Sequence, residues 1–536
     1  MKPRLIFSLA CLLLAPGLEA KTTGVIPLEP GKRELFLDDH VLEKTRNLVR
    51  SFHRPRKRGV VLKADIPSDG TLVQTVSAPM WIPDEGIYKF VYEARHRPTG
   101  GKGTTYWALA LSRDGLNWEK PNLGVLEFNG NKKNNLIDSP ERQRLWQVVF
   151  DPDDPDPGRR YKGFLGSSGR RPVVSPDCIH WKLLEVEKLP SGDAGTLTYD
   201  RENRQFLGLL KFLGKHGRSY NLSVSKDFVN WSEPRFLFST DDEDQRMTLD
   251  VIRRRVADPG LAKPLMVDPD PATGWTRPPG EFRNRGTWNV QCYNIGVFPY
   301  EGMHLGWLMF FYPTGIRLPE GTNTDGFNEM QLAMTRDLKT WKRLGRRQPF
   351  ISTSRLDEGL VGNYDRLQLN VTNQPVDRGD ELWFYYTGMK RRVPQHDRYR
   401  NGAPRDPSTL SAEERADWIE DTLSAVYVSV LRRDGFISLD ADEAGGSLLT
   451  KPLKLAGDRL FLNLQAPEGE ARVEVLDETG RAVPGFGLDD SAVAGGDRVR
   501  VPAGWKGKDG LSGLAGRTVR LKIHLRDASV YSFWTE

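Results

Sequence analysis

Cleaving a glycosidic bond takes two carboxyl groups, one to protonate the leaving oxygen and one to attack the sugar or activate water. Three acids stand where such groups are wanted, close to the start of strand-like stretches. Asp193 lies in Ser191-Gly192-Asp193-Ala194-Gly195-Thr196, Glu358 in Asp357-Glu358-Gly359, and Asp39 follows Leu35-Phe36-Leu37-Asp38. Glu93 closes another such stretch, three residues before His96. Each also has a plainer use: Asp193 could cap a turn beside Gly192, Glu358 could be a solvated loop acid, and Asp39 could satisfy backbone donors. Groups suited to hold a sugar or an anionic sugar precede three more strand-like stretches. Arg142 and Arg144 come before Leu145, Arg283, Arg285 and Trp288 before Tyr293, and Gln74 stands in Leu72-Val73-Gln74-Thr75. Paired arginines grip carboxylate or sulfate through parallel hydrogen bonds, and an indole can stack on a pyranose face.

Acids so far apart in the chain meet only if the fold gathers strand starts around a common axis. A repeat supplies that fold. Ser112-Arg113-Asp114-Gly115-Leu116-Asn117-Trp118 recurs as Ser175-Pro176-Asp177-Cys178-Ile179-His180-Trp181, as Ser225-Lys226-Asp227-Phe228-Val229-Asn230-Trp231 and as Thr335-Arg336-Asp337-Leu338-Lys339-Thr340-Trp341. A degenerate fifth copy is Leu431-Arg432-Arg433-Asp434-Gly435-Phe436-Ile437, without the Trp. The spacing predicts a tight turn in which Asp accepts backbone N–H bonds, and a Trp that starts the returning strand and fills space against a neighbouring sheet.

Two further strand-like stretches precede each copy, for example Tyr161-Lys162-Gly163-Phe164-Leu165 ahead of the second and Trp307-Leu308-Met309-Phe310-Phe311-Tyr312 ahead of the fourth. Repeated five times, this arrangement predicts an all-β chain: a five-bladed β-propeller over residues 21–447. Two insertions break the rhythm. Residues 241–288 carry a short helical pattern near Met247–Arg254, and residues 390–421 contain the helix-start signature Ser411-Ala412-Glu413-Glu414-Arg415. From residue 448 the texture changes to strict alternation, as in Ala471-Arg472-Val473-Glu474-Val475-Leu476 and Val519-Arg520-Leu521-Lys522-Ile523-His524-Leu525, which predicts a C-terminal β-sandwich over 448–536.

Lys2 and Arg4 ahead of the apolar run Leu5–Ala15, with Leu18-Glu19-Ala20 behind it, predict an export signal over residues 1–20 and a secreted or periplasmic protein, by simple cleavage rather than lipidation at Cys11. No later segment is long and apolar enough to span a bilayer. The formal charge of +6 is spread over 77 basic and 71 acidic residues without a basic stripe, which argues against nucleic acid as the partner. Only Cys178 and Cys292 follow the signal, too few for a zinc cluster, and their pairing is left open. Asp151-Pro152-Asp153-Asp154-Pro155-Asp156 resembles a calcium cluster but lacks the glycine and closing Glu of an EF-hand, and so reads as a loop. No dinucleotide, phosphate-loop or zinc-protease motif is present, and neither a cofactor nor a metal is expected.

Turn repeats of this kind in five blades, followed by a sandwich, resemble the five-bladed propeller glycoside hydrolases, family 32 in layout and family 43 behind it. Leu35-Phe36-Leu37-Asp38-Asp39-His40, Trp118-Glu119-Lys120-Pro121-Asn122-Leu123-Gly124 and Phe298-Pro299-Tyr300-Glu301-Gly302 are similar to segments of exported planctomycete-type family 32-like proteins. The resemblance implies a carbohydrate-active enzyme, a glycoside hydrolase acting on a neutral or anionic poly- or oligosaccharide. The family 32 nucleophile motif is absent where blade one reads Leu72-Val73-Gln74-Thr75-Val76-Ser77-Ala78-Pro79. Arg-Asp-Pro is missing from blades two and three, and Glu-Cys from blade four, so fructan cleavage is not carried over. Asp193 and Glu358 are the expected carboxyl pair, with Asp39 as a third acid. The alternative is a glycan-binding propeller without catalysis. A sialidase-like enzyme fits less well, because its turn motif is one residue longer and its propeller has six blades.

Overall fold

The Asp of each repeat ties its turn together. In the computed structural model, which describes residues 24–96, 104–264, 290–316, 324–359, 362–391, 399–400, 403–404, 411–412, 422–508 and 510–536, Asp114 accepts the backbone N–H groups of Leu116 and Asn117 at 2.8 Å each. Asp177, Asp227 and Asp337 do the same two and three residues on. The Ser or Thr hydroxyl two residues before donates to the same carboxylate. The residue after each Asp takes a left-handed φ: 79° at Gly115, 74° at Cys178, 63° at Phe228 and 55° at Leu338. Only the first copy has a glycine there, so in the other three these hydrogen bonds must offset the cost of that conformation. Burial pushes the Asp227 carboxyl up, but hydrogen bonds from Asn230 and Val229 outweigh it and hold the group at about 2. In blades two, three and four the Trp then packs where the second strand of its blade carries a glycine. A Cβ on Gly208 would lie 3.0 Å from the Trp231 ring, and one on Gly306 would lie 2.6 Å from Trp341. Trp231 also meets Phe164 of the preceding blade, so the repeat stitches neighbouring sheets together.

Five antiparallel sheets result. Blade one comprises Leu72–Gln74 with Met80–Ile82, then Ile87–His96, Thr104–Ser112 and Leu136–Ile137. Blade two is Leu145–Phe150, Tyr161–Leu165, Arg171–Ser175 and Lys182–Leu183. Blade three is Gly195–Asp200, Gln205–Gly214, Gly217–Ser225 and Arg235–Phe238. Blade four is Gln291–Tyr300, Met303–Ile316, Thr324–Thr335 and Lys342–Arg343. Blade five is Gln368–Val371 with Val376–Asp377, then Glu381–Met389 and Ser424–Arg432, and its outer strand is Arg56–Lys63 from the start of the chain. After the degenerate fifth turn the chain leaves the propeller, so this blade has no outer strand of its own and borrows one. Phe436, in place of the missing Trp, packs on Tyr300 and Phe350.

The ring is closed at its hub by side chains. Val148 N–H donates to Ser77 Oγ (2.8 Å), Gln147 Nε2 to Gly195 O (2.6 Å), Thr196 Oγ1 to Ile295 O (2.6 Å) and Asn294 Nδ2 to Asn370 Oδ1 (3.1 Å), joining blades one to five in turn. Asn373 of blade five accepts from Ala78 N at 2.8 Å in blade one and donates to Leu197 O at 2.9 Å in blade three, across the axis. Gly296 lets blade four approach: a Cβ there would lie 2.2 Å from Thr372 O.

The second domain is a sandwich, but its boundaries differ from the expected 447/448. Ile437–Ala441 and Gly446–Thr450 already belong to it, and so do four strands from the start of the chain, Ile26–Pro27, Glu34–Leu35, Leu42–Arg46 and Val49–Phe52. Leu460–Leu476 pairs with Ala528–Thr535 through its first half and with Thr518–Arg526 through its second, folding one sheet over a core that includes Val473, Val475, Leu521 and Ile523. The helical pattern near Met247 is realised as a longer helix, Asp242–Ala257, capped by Asp241 and Asp244. Beyond Ala412, residues 413–421 lie outside the described residues, as do residues 1–20. Cys178 and Cys292 are both free and buried. In the Asp151–Asp156 loop the ammonium of buried Lys162 stands where a cation was considered, 2.8 Å from Asp151 and 2.7 Å from Asp154.

The two domains meet on the fifth turn. Asp434, fully buried, accepts from Tyr300 (2.6 Å), Arg33 (2.9 Å) and Ser532 (2.6 Å). Removing one partner of a buried ion pair leaves the other uncompensated and costs about 3–5 kcal/mol. Asp434→Ala should therefore lower unfolding stability by about that amount in a urea titration. A loss under about 1 kcal/mol would show that the interface does not depend on this carboxylate.

Candidate functional site

All five inner strands start at one end of the hub, where the second strands finish. Leu72 faces Arg95, Leu145 faces Leu165, Gly195 faces Leu210, Gln291 faces Phe311 and Gln368 faces Met389. Side chains at these ends and on the loops leading into them therefore share a mouth.

Asp193 is placed there, two residues before the inner strand of blade three. Its Oδ1 lies 2.9 Å from Lys211 Nζ, with the carboxylate side chain 64% exposed and the lysine side chain 6% exposed. Lys211 follows directly after Leu210 on the second strand, so the antiparallel register brings the two together. Its ammonium lies 4.5 Å from the centre of the Tyr293 ring, and the Arg218 guanidinium sits 4.9 Å from the same ring and 3.1 Å from Gln291 Oε1. Buried Arg170 donates to Gly166 O, Gly169 O and Gly192 O at 2.8–3.0 Å, pinning the loop that presents Asp193. Partial burial pushes the Asp193 carboxyl up, but Lys211, Arg218 and Arg170 outweigh it and hold the group below the usual carboxylate range. Burial pushes Lys211 down from the ordinary lysine range. An Asp so held is an anion at neutral pH, able to attack an electrophilic carbon or take a proton from water but not to donate one.

Blade one contributes Glu93 and Gln74, which face each other across the strand pair. The Glu93 side chain is 5% exposed and accepts from Arg95 Nε at 2.7 Å. With Trp107 and Leu145, both line a small gap between blades one and two. Arg142 and Arg144 lie on the loop into the inner strand of blade two, and the charge of Arg144 bears on Arg170. Asp193, Arg142, Arg144 and Gln74 thus lie on or just before the inner strands of blades one to three.

Glu358 ends the turn Leu356–Glu358, on the connection leading to Gln368–Val371. It is exposed, and its carboxylate accepts its own Arg355 N–H at 3.2 Å, while Leu356 N donates to Gly260 O beyond the helix. Among the described residues no hydrogen bond or ion pair links it to Asp193. Asp39 is corrected from a place near the axis. Its side chain is 72% exposed and paired with Arg50 at 2.5 Å, and its carbonyl accepts from Lys451 of the sandwich, because residues 26–52 pair with that domain. Arg283, Arg285 and Trp288 lie outside the described residues. Sequence reasoning passed over Lys211, Arg170, Arg218 and Tyr293. Lys211 carried a weak signal as a charge interrupting Phe206–Phe212; Arg170 carried none, since it acts by gathering carbonyls of two loops.

No family model matches the chain, and no curated protein matches it. Among solved structures, a glycosyl hydrolase from Bacteroides ovatus aligns at 13% identity over 72% of this chain and 96% of its own, with a TM-score of 0.35. A family 32 β-fructofuranosidase from Bombyx mori aligns at 12% identity over 90% and 93%, with a TM-score of 0.35. A fructofuranosidase from Schwanniomyces occidentalis, complexed with fructosylnystose, aligns at 9% identity over 89% and 97%, with a TM-score of 0.36. Identities this low, with TM-scores below 0.5, leave the chemistry to be argued from this chain's own residues.

A carboxyl whose folded pKa is depressed contributes stability above its unfolded pKa, near 3.9, and loses it as pH falls through the folded value. Asp193→Asn should thus lower the melting temperature at pH 7, by the equivalent of at most about 1 kcal/mol for so exposed a pair, and the gap to wild type should be smaller at pH 3 than at pH 7. A gap equal at both values in differential scanning fluorimetry would mean that the Lys211 pairing does not set it.

Proposed function

We propose that the protein is a glycoside hydrolase acting on a poly- or oligosaccharide, exported by the signal expected in residues 1–20. The observation that carries this reading is Asp193: an ionised carboxylate reachable from solvent, on a loop fixed by Arg170, paired with a lysine that stands over a tyrosine ring at the propeller mouth. Asp193 takes the attack or base role, at the anomeric carbon or on a water. The proton for the leaving oxygen is assigned to Glu358, on the exposed turn that leads to the inner strand of blade five. Glu93, clamped by Arg95 and opposite Gln74 in the strand pair, is left out of the carboxyl pair. Lys211, Arg218, Arg170 and Arg144 give the blade-three side an excess of positive charge, which favours a sugar bearing carboxylate or sulfate.

The second reading, a glycan-binding propeller without turnover, is favoured by the cation bound to each of Glu93 and Asp193. Release of reducing ends from a panel of neutral, uronate and sulfated polysaccharides separates the two. Hydrolysis is expected, with Asp193→Asn and Glu358→Gln each lowering kcat by about 10²–10⁴. Wild-type turnover in Asp193→Asn would overturn the assignment, and binding without any reducing-end release would establish the binding module.

A further inference from the structure

At the opposite end of the hub a second feature repeats that the turn motif does not announce. Where the inner strands of blades one, two and three end, each carries an aromatic residue paired directly across to an aromatic on the second strand. The pairs are Trp81 with Tyr88, Phe150 with Tyr161 and Tyr199 with Phe206. Their ring centres lie 4.7, 5.0 and 4.8 Å apart, so each rim ring is braced from behind. Tyr88 is itself fixed by a hydrogen bond from Arg378 at 2.7 Å. The three rim rings line one cavity of about 520 Å³, completed by Pro299, Pro375 and the polar side chains of Gln374 and Glu202. Asn373, whose amide is held by Ala78 and Leu197, also lines it, and neither Asp193 nor Lys211, Arg170, Arg218 or Tyr293 does.

Leaving such rings half open forgoes burial that a propeller otherwise achieves. Trp81 is 42% exposed, whereas Trp107, Trp307 and Trp383 are buried. A concave space of this size, with apolar walls and a few polar groups at its edge, is the usual form of a small-ligand site. Its charges are mostly answered from within: Arg201 pairs with Asp153 at 3.2 Å and Asp377 with Arg433 at 2.9 Å. A charged ligand therefore gains little there. Flat, pre-oriented rings in a row, with an amide and a carboxylate to meet hydroxyls, suit the C–H faces and hydroxyl edges of successive sugar units.

We infer that this cavity is a second carbohydrate site, which holds a short neutral oligosaccharide against Trp81, Phe150 and Tyr199, apart from the Asp193 mouth. It does not depend on the hydrolase reading and stands equally on a protein without turnover. Titration calorimetry of the full chain with neutral cello-, xylo- and fructo-oligosaccharides of four to six units, alongside intrinsic tryptophan fluorescence, tests it. At least one series should bind, with a fluorescence change. Trp81→Ala and Tyr199→Ala should each weaken binding tenfold or more, Trp81→Phe should restore most of it, and Asp193→Asn should leave it unchanged. Melting temperatures within a few degrees of wild type exclude loss of fold as the cause, and the Trp81→Phe rescue decides the matter if Trp81→Ala is less stable. Absence of binding by every series overturns the inference, and so does binding that survives both alanine variants or disappears with Asp193→Asn.

Discussion

Five strands converge on one axis with their backbones already paired inside their blades, and what joins blade to blade there is a set of short polar side chains reaching for the next strand's carbonyls and amides. Gln147, Thr196, Asn294 and Asn373 each satisfy a group that would otherwise be buried without a partner, and in doing so set the rotation of one blade against the next. Such bonds are individually modest, but leaving them unmade is expensive. Because Asn373 bonds to blades one and three at once, it spans the axis beside the cavity at the far end of the hub.

A ring needs a seam, and the seam here also organises the second domain. The chain enters through the sandwich, gives Arg56–Lys63 to blade five, winds through the blades and returns to the sandwich at Ile437. Closing the last sheet with the first propeller strand leaves no blade unfinished. The fifth turn keeps its Asp but turns it to another use, since Asp434 binds Tyr300 of blade four and Arg33 and Ser532 of the sandwich. The same carboxylate type therefore caps local turns four times and clamps two domains once.

The propeller also buries cations with dedicated partners. Lys162 is enclosed by Asp151, Asp154 and the Arg159 carbonyl, and Lys211 by Asp193 and the Tyr293 ring. The first is closed on all sides and steadies a loop. The second leaves its carboxylate partner open to solvent, so the field that holds Asp193 ionised is available to whatever enters the mouth. That difference in access, more than in residue type, separates a structural ion pair from a candidate catalytic one.

What the chain alone determined was the local geometry that repeats. An Asp that accepts N–H groups two and three residues on needs only its own turn, and alternating apolar residues pair in the only register that buries them. The repeat therefore specifies the turns and the blade count, and the alternation after residue 448 the sandwich, without any long-range contact. Tertiary structure decided everything that depends on which strand ends meet. It moved residues 26–52 into the sandwich and took Asp39 with them. It gave Asp193 its lysine through the Gly195–Leu210 register, and it lined up Trp81, Phe150 and Tyr199 at the far end of the hub. Those contacts join residues tens to hundreds of positions apart, and no short-range spacing encodes them, because the closure of the ring, rather than any one segment, sets their distances.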